Sequence, residues 1–153
     1  MILLFDTNLI LDFLRDGAIT AAIDEQFNLS AASGILAISV VSIGELNALA
    51  LKRNWGPKRV ESIYHELNKF LVIPINSKDV LRLYGEIDAF SQGKLKGQPL
   101  PAGLSSRNMG KNDLWIAASA AATGATLLTT DKDFKHLKGV FIKHQYYAPQ
   151  DYL

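Results

Sequence analysis

MILLFDTNLILDFL, residues 1–14, changes its periodicity at Asp6, and that change decides the class of fold. Met1 to Phe5 is a continuous apolar run, too short for a helix, and reads as a buried strand. From Thr7 onward, Leu9, Ile10, Phe13 and Leu14 recur at helical spacing and stop before Asp16-Gly17. Working outward, a second amphipathic piece covers about Ile19 to Leu29 and closes near Ser33-Gly34. Ile35 to Val41 is rich in branched residues and predicts a second strand. Ser42 opens a helix through Leu51, and Pro57 starts another reaching about Lys69. Phe70 to Ile75 reads as a third strand, followed by a helix from Ser77 to about Ser91. After a gap come an alanine-rich helix from Asn112 to Thr123 and a fourth strand from Thr126 to Thr130. A short helix from Lys132 to Leu137 and a fifth strand from Val140 to His144 complete the series. The expected fold is an α/β three-layer sandwich over residues 1–153, one domain with a mostly parallel central sheet flanked by helices.

Apolar residues make up 48% of the chain and charged residues 20%, a balance that suits a packed core rather than disorder. The absence of cysteine excludes disulfides and thiolate metal sites. No apolar run reaches the length of a bilayer crossing. Asp6 interrupts the first apolar run, where a signal peptide needs a longer one, so the expected location is the cytoplasm, with no membrane partner. A formal net charge of +1 does not mark a nucleic-acid binder. Charge is nevertheless uneven. Residues 93–111 form a long segment without apolar period, and from Ser91 to Asn112 there are Lys94, Lys96, Arg107 and Lys111 but no acid. Loops near twenty residues inside compact domains are uncommon and tend to be functional or mobile. A second basic group, Lys52, Arg53, Lys58 and Arg59, brackets Trp55-Gly56-Pro57. Solvated surface is the ordinary reading of each group.

Four acids stand at element junctions: Asp6 in LLFDTN, Glu45 in SIGEL, Asp113 in GKNDLWIAA and Asp131 in LLTTDKDF. Each has a structural explanation of its own. Asp6 and Asp131 suit helix N-caps. Ser42 and Glu45 have the spacing of a capping box. Asp113 suits a helix's first turn, with Asn112 as its cap. Taken together they lie at the carboxyl edge of the expected sheet, where ligands bind. Two carboxylates about 4 Å apart repel by roughly 4 kcal/mol at an effective dielectric near 20. Against a total stability of ~5–15 kcal/mol, several such clashes need protonation, a basic partner or a cation. Oxygen donors without sulfur or imidazole suit Mg²⁺ or Mn²⁺. Such an ion supports phosphodiester hydrolysis. Asp133 is placed to complete the set, or to sit exposed in a first helical turn. Thr7, Asn8, Asn112, Thr129 and Thr130 flank the acids as candidate orienting groups or ordinary caps.

LLFDTNLILDFL, AISVVSIGEL and NDLWIAASAAATGATLLTTDKDF, in this order, resemble the PIN-domain ribonucleases, in particular the stand-alone VapC type. The resemblance covers nearly the whole chain and implies a parallel sheet with an acidic pocket for Mg²⁺ or Mn²⁺. It implies cleavage of single-stranded or loop RNA, transfer RNA in some members. It makes Asp6, Glu45, Asp113 and Asp131 the metal-binding and catalytic acids, with Asp133, Thr7 and Thr129 in support. Many such proteins are toxins that form homodimers and are inhibited by a cognate antitoxin protein. With RNA as substrate, Lys94, Lys96, Arg107 and Lys111 become candidates for phosphate contacts. The segment 93–111 is longer than the connection the family leads one to expect.

Three other readings compete. A phosphatase of the haloacid dehalogenase type wants a second Asp two residues after the first, where this chain has Asn8. A receiver-like domain pairs two adjacent N-terminal acids, and MILLFDTN has one. A non-catalytic PIN-fold binding module would not require all four acids, and all four are present.

Overall fold

Successive side chains along Ile2–Phe5 (β1) point to opposite sides of the sheet, and both sides are covered. Leu4 packs into one apolar cluster, while Leu3 and Phe5 pack into another. A strand buried on both faces belongs to a parallel sheet with helices on each side. The computed structural model describes residues 1–31 and 33–153 and shows that arrangement. After β1 come α1 (Thr7–Leu14), α2 (Ala18–Phe27), β2 (Ile35–Ser39), α3 (Val40–Lys52) and α4 (Pro57–Leu67). They are followed by β3 (Leu71–Ile73), α5 (Lys78–Ser91), α6 (Lys111–Thr123), β4 (Thr126–Thr129) and β5 (Lys143–Tyr146). Short 3₁₀ helices occupy Lys132–Leu137 and Pro149–Tyr152.

The strand order is β3-β2-β1-β4-β5, and every neighbouring pair is parallel. The order runs outward from β1 in both directions, so the chain reverses its progress between β1 and β4. Open sheets bind ligands at that switch point, beyond the carboxyl ends of the strands. Asp6 follows β1 there, and Asp131 follows β4. On one face α5 and α6 supply Val80, Ile87, Phe90, Leu114 and Ala117 against Leu4, Ala37 and Leu127. On the other, Leu9, Ile10, Ile23, Leu46 and Leu67 cover Phe5, Ile38 and Leu128.

Several boundaries differ from those expected. The second strand ends at Ser39, whose hydroxyl accepts the Val41 N–H at 3.1 Å and caps α3. Ser42 is therefore buried inside the helix, and the Ser42–Glu45 capping box does not exist. Gly110 rather than Asn112 caps α6, without a side-chain bond. Asp113 is preceded by an irregular segment, so it does not follow a strand. The fifth strand begins at Lys143, later than Val140. Gly139 takes a left-handed φ of 76°, and the N–H groups of Val140 and Phe141 turn back to the Leu137 carbonyl.

The segment after α5 is irregular but anchored. Leu95 and Leu100 pack against the core and Met109 enters it. Arg107 donates its N–H to the Ser91 carbonyl at 2.8 Å. Ser91, fully buried, hydrogen-bonds His136 Nε2 at 2.7 Å and so ties α5 to the 3₁₀ helix carrying Asp133.

Candidate metal centre

Asp6 closes β1 and is buried, with 6% of its surface exposed. Its backbone N–H extends the ladder to the Leu128 carbonyl. Both carboxylate oxygens are engaged: Oδ1 accepts the Thr7 N–H and Oδ2 the Thr129 hydroxyl, each at 2.7 Å. Thr129 Oγ1 in turn accepts the Asp131 N–H at 2.9 Å, so one side chain of β4 couples the acids that end β1 and β4. Thr7 donates its hydroxyl to Glu45 Oε1 at 2.8 Å. With that hydrogen committed, the 2.8 Å contact between Thr7 and Ser42 has Ser42 as donor.

Asp131 caps its 3₁₀ helix by accepting the Asp133 N–H at 2.8 Å. This turn brings Asp133 round toward Asp113 of α6. Carboxylate oxygens of Asp113, Asp131 and Asp133 all lie within 4.8 Å of one another. Asp133 is thus part of the tightest trio, a place the sequence reading left open. Asp6 and Glu45 stand outside that trio, tied to Thr129 and Thr7. Asn8 and Asn112 are exposed, and Thr7 and Thr129 are the hydrogen-bonding groups between the acids.

The electrostatics show how closely the acids converge. Burial pushes Asp113 up to about 7, reinforced by the charges of Asp6, Asp131, Glu45 and Asp133. Asp6 is also raised, by burial first and then by Asp131 and Glu45, against the lowering effect of its hydrogen bonds from Thr129 and Thr7. The ion pairs among the described residues join Lys69 to Glu66 and Arg82 to Asp79 and Glu86, and none reaches these five acids. The repulsion is therefore relieved by protons, or by a cation. A donor set of clustered carboxylates without sulfur or imidazole fits a hard divalent ion.

Folding raises the proton affinity of Asp113, so its cost to folding grows as pH rises from the ordinary carboxylate value of 3.8 to about 7 and is constant above that. His136, lowered to about 4 by burial and Arg107, and the lowered His144 act with the opposite sign at lower pH. The difference between Asp113→Asn and the parent isolates the carboxylate. In chelator, the variant is expected to melt above the parent by a margin that widens as pH rises from about 4 to about 7 and then levels off. About 2 kcal/mol is expected at the upper end after allowance for screening. A margin constant with pH in thermal melts would contradict this.

Of the four cations expected near RNA, Arg107 reaches the site. It lines a cleft of about 480 Å³ with Leu104, Lys132, Asp133, Lys135 and His136. Lys111 begins α6 two residues before Asp113. Lys94 and Lys96 lie in the turns after α5, with no contact to the acids. Lys132 and Lys135 were not singled out as phosphate contacts; their spacing on the 3₁₀ helix after Asp131 was the available signal. A larger cleft, of about 680 Å³, is lined by Thr7, Glu45, Asn112 and Trp115 among others.

The family model of the PIN domain matches residues 3–140. The chain belongs to the PIN domain family. The fold agrees with this. A chain in the crystal structure of VapBC2 from Rickettsia felis, bound to a promoter DNA fragment, is similar at 24% identity with a TM-score of 0.74. The match covers 96% of this PIN domain and 99% of that chain. VapBC-1 from nontypeable Haemophilus influenzae is similar at 24% identity and TM-score 0.72, covering 95% and 98%. DNA-bound VapBC from Salmonella typhimurium gives 20% and 0.66, covering 95% and 98%. No curated protein matches this PIN domain at a significant level. None of its helices in the described residues is long and apolar enough to cross a membrane.

Proposed function

We propose that this PIN domain is an endoribonuclease dependent on Mg²⁺ or Mn²⁺, and the toxin of a toxin–antitoxin pair. The convergence of Asp113, Asp131 and Asp133 at the β1/β4 switch point carries the reading, with Asp6 and Glu45 near enough for their charges to raise Asp113. Asp113, Asp131 and Asp133 would hold the ion. When bound, a divalent ion supplies a Lewis acid for phosphate oxygens and lowers the pKa of water. Thr129 fixes the turn that aims Asp131, and Thr7 orients Glu45 toward the same edge. Asp113 holds a proton near neutrality and releases it as a cation is taken up. Arg107, Lys132 and Lys135 offer positive charge for the flanking phosphates.

The toxin role and the partner follow the similarity to VapBC-5 from Mycobacterium tuberculosis, a member of the VapBC family of toxin–antitoxin systems, and to a toxin–antitoxin complex from Klebsiella pneumoniae. A cognate antitoxin and a second copy of the chain are the partners this implies. An Asp-nucleophile phosphatase is disfavoured because both oxygens of Asp6 are occupied within a buried site.

The test is incubation with mixed cellular RNA in Mg²⁺ or Mn²⁺, then in EDTA, beside Asp6→Asn. Cleavage is expected with metal only and is expected to disappear in the variant. Equal cleavage by variant and parent would assign it to a contaminant and remove the reading.

A further inference from the structure

We infer that the 680 Å³ cleft beside the carboxylates is a nucleobase pocket, in which Trp115 stacks on an unpaired base and Asn8 and Asn112 meet its polar edge. This rests on the ribonuclease reading and adds to it the residues that receive the base.

The cleft adjoins the carboxylate site, because its lining residues include Glu45, Thr7, which is hydrogen-bonded to both Asp6 and Glu45, and Asn112, the neighbour of Asp113. Its walls are wrong for phosphate alone. Ile75 and Leu49 give it apolar surface, Trp115 gives it an indole, and Glu45 repels anions. Those walls suit a flat, neutral, amphipathic group. Asn112 and Trp115 are three residues apart on α6 and share a face, so amide and ring are presented together. Asn8 approaches from the first turn of α1. Both amides are exposed, and each offers a donor and an acceptor, the complement of a base edge. Lys52, at the far end of α3, also lines the cleft and is placed for a phosphate beyond the base.

The ring is held before any ligand arrives. Tyr84 of α5 packs on Trp115 with ring centroids 4.1 Å apart and planes inclined at 37°. One side of the indole is thus backed by protein, and the residue still lines the cleft. A pre-positioned aromatic surface avoids most of the ordering cost of stacking. Duplex RNA keeps its bases stacked on each other, so this pocket selects strands with an unpaired base.

Two measurements test the proposal. In a Trp55→Phe background Trp115 is the only indole, and its N–H resonance reports on the cleft. Adenosine and uridine monophosphates, which contain no phosphodiester to cleave, are expected to shift it, whereas ribose 5-phosphate is not. Trp115→Leu is expected to raise KM for single-stranded RNA about tenfold with kcat within about twofold, and Trp115→Tyr to restore most of the loss. Equal shifts from ribose 5-phosphate would overturn the proposal. So would an unchanged KM in a Leu variant that melts like the parent, or a resonance that answers an antitoxin peptide but no nucleotide. Nucleotide-specific shifts in a protein that cleaves no RNA would support the pocket and sink the ribonuclease reading.

Discussion

Asp131→Asn is expected to lower metal-dependent RNA cleavage by roughly 10³-fold or more while leaving the fold intact. The asymmetry follows from what the side chain does. One oxygen of Asp131 accepts the Asp133 N–H, and an asparagine carbonyl oxygen accepts the same bond. The turn into the 3₁₀ helix is therefore kept, and so is the backbone N–H to Thr129. What disappears is one negative charge from a trio whose carboxylate oxygens lie within 4.8 Å. Removing that charge relieves repulsion in the metal-free chain but weakens the hold on a divalent ion. Melts with and without Mn²⁺ should show the metal-induced rise shrinking in the variant, in step with cleavage. Asp131→Ala is the sharper comparison, since it also deletes the cap at a further cost of about 1 kcal/mol. Retained cleavage in Asp131→Asn, at even a tenth of the parental rate, would exclude a catalytic trio.

Phe5→Ala is expected to cost about 4–5 kcal/mol, the largest stability effect of a single substitution proposed for this chain. Phe5 is fully buried and meets Phe13 and Phe70 edge-to-face, with centroids 5.9 and 5.4 Å away. Those two rings are themselves 5.0 Å apart, so the three form one cluster joining β1, α1 and the turn before β3. Deleting the central ring removes its transfer energy and leaves a cavity that its rigid neighbours fill poorly. At ~2–4 °C per kcal/mol for a chain of this size, the melting temperature falls by roughly 8–20 °C. Leu51→Ala, at a side chain 79% exposed, is the control and should change stability by about 0.5 kcal/mol or less. Phe5 is the residue directly before Asp6, so the stabilisation by added metal should shrink in the Ala variant. A loss below about 1.5 kcal/mol in denaturant titrations would show that the cluster repacks.

Much of the fold was legible because it is written locally. The run ILLF and the spacing of Leu9, Ile10, Phe13 and Leu14 depend only on neighbours in the chain. Boundaries were less legible where two adjacent residues compete for one role. Ser39 and Ser42 are both plausible caps, and the strand's hydrogen bonds to β1 and β3 decide in favour of Ser39. The fifth strand was misplaced because Val140 and Ile142 suit a strand by composition. Pairing of Thr126 with Lys143 sets the register instead.

The candidate site was legible as a set of acids and not as a geometry. Residue types and their positions at element ends determined, from sequence alone, that carboxylates gather at one edge of a parallel sheet. Repulsion between like charges then made a cation the economical partner, with no coordinates needed. Tertiary structure decided which acids form the trio, that Asp133 belongs to it, and that Asp6 is locked by a hydroxyl 123 residues away. It also turned Ser42 from a cap into a donor to Thr7 and set Trp115 beside the acids. Such facts depend on strand register and on the angle at which α6 crosses the sheet. Those are set by packing between segments distant in the chain, whereas periodicity and apolar runs carry only local information.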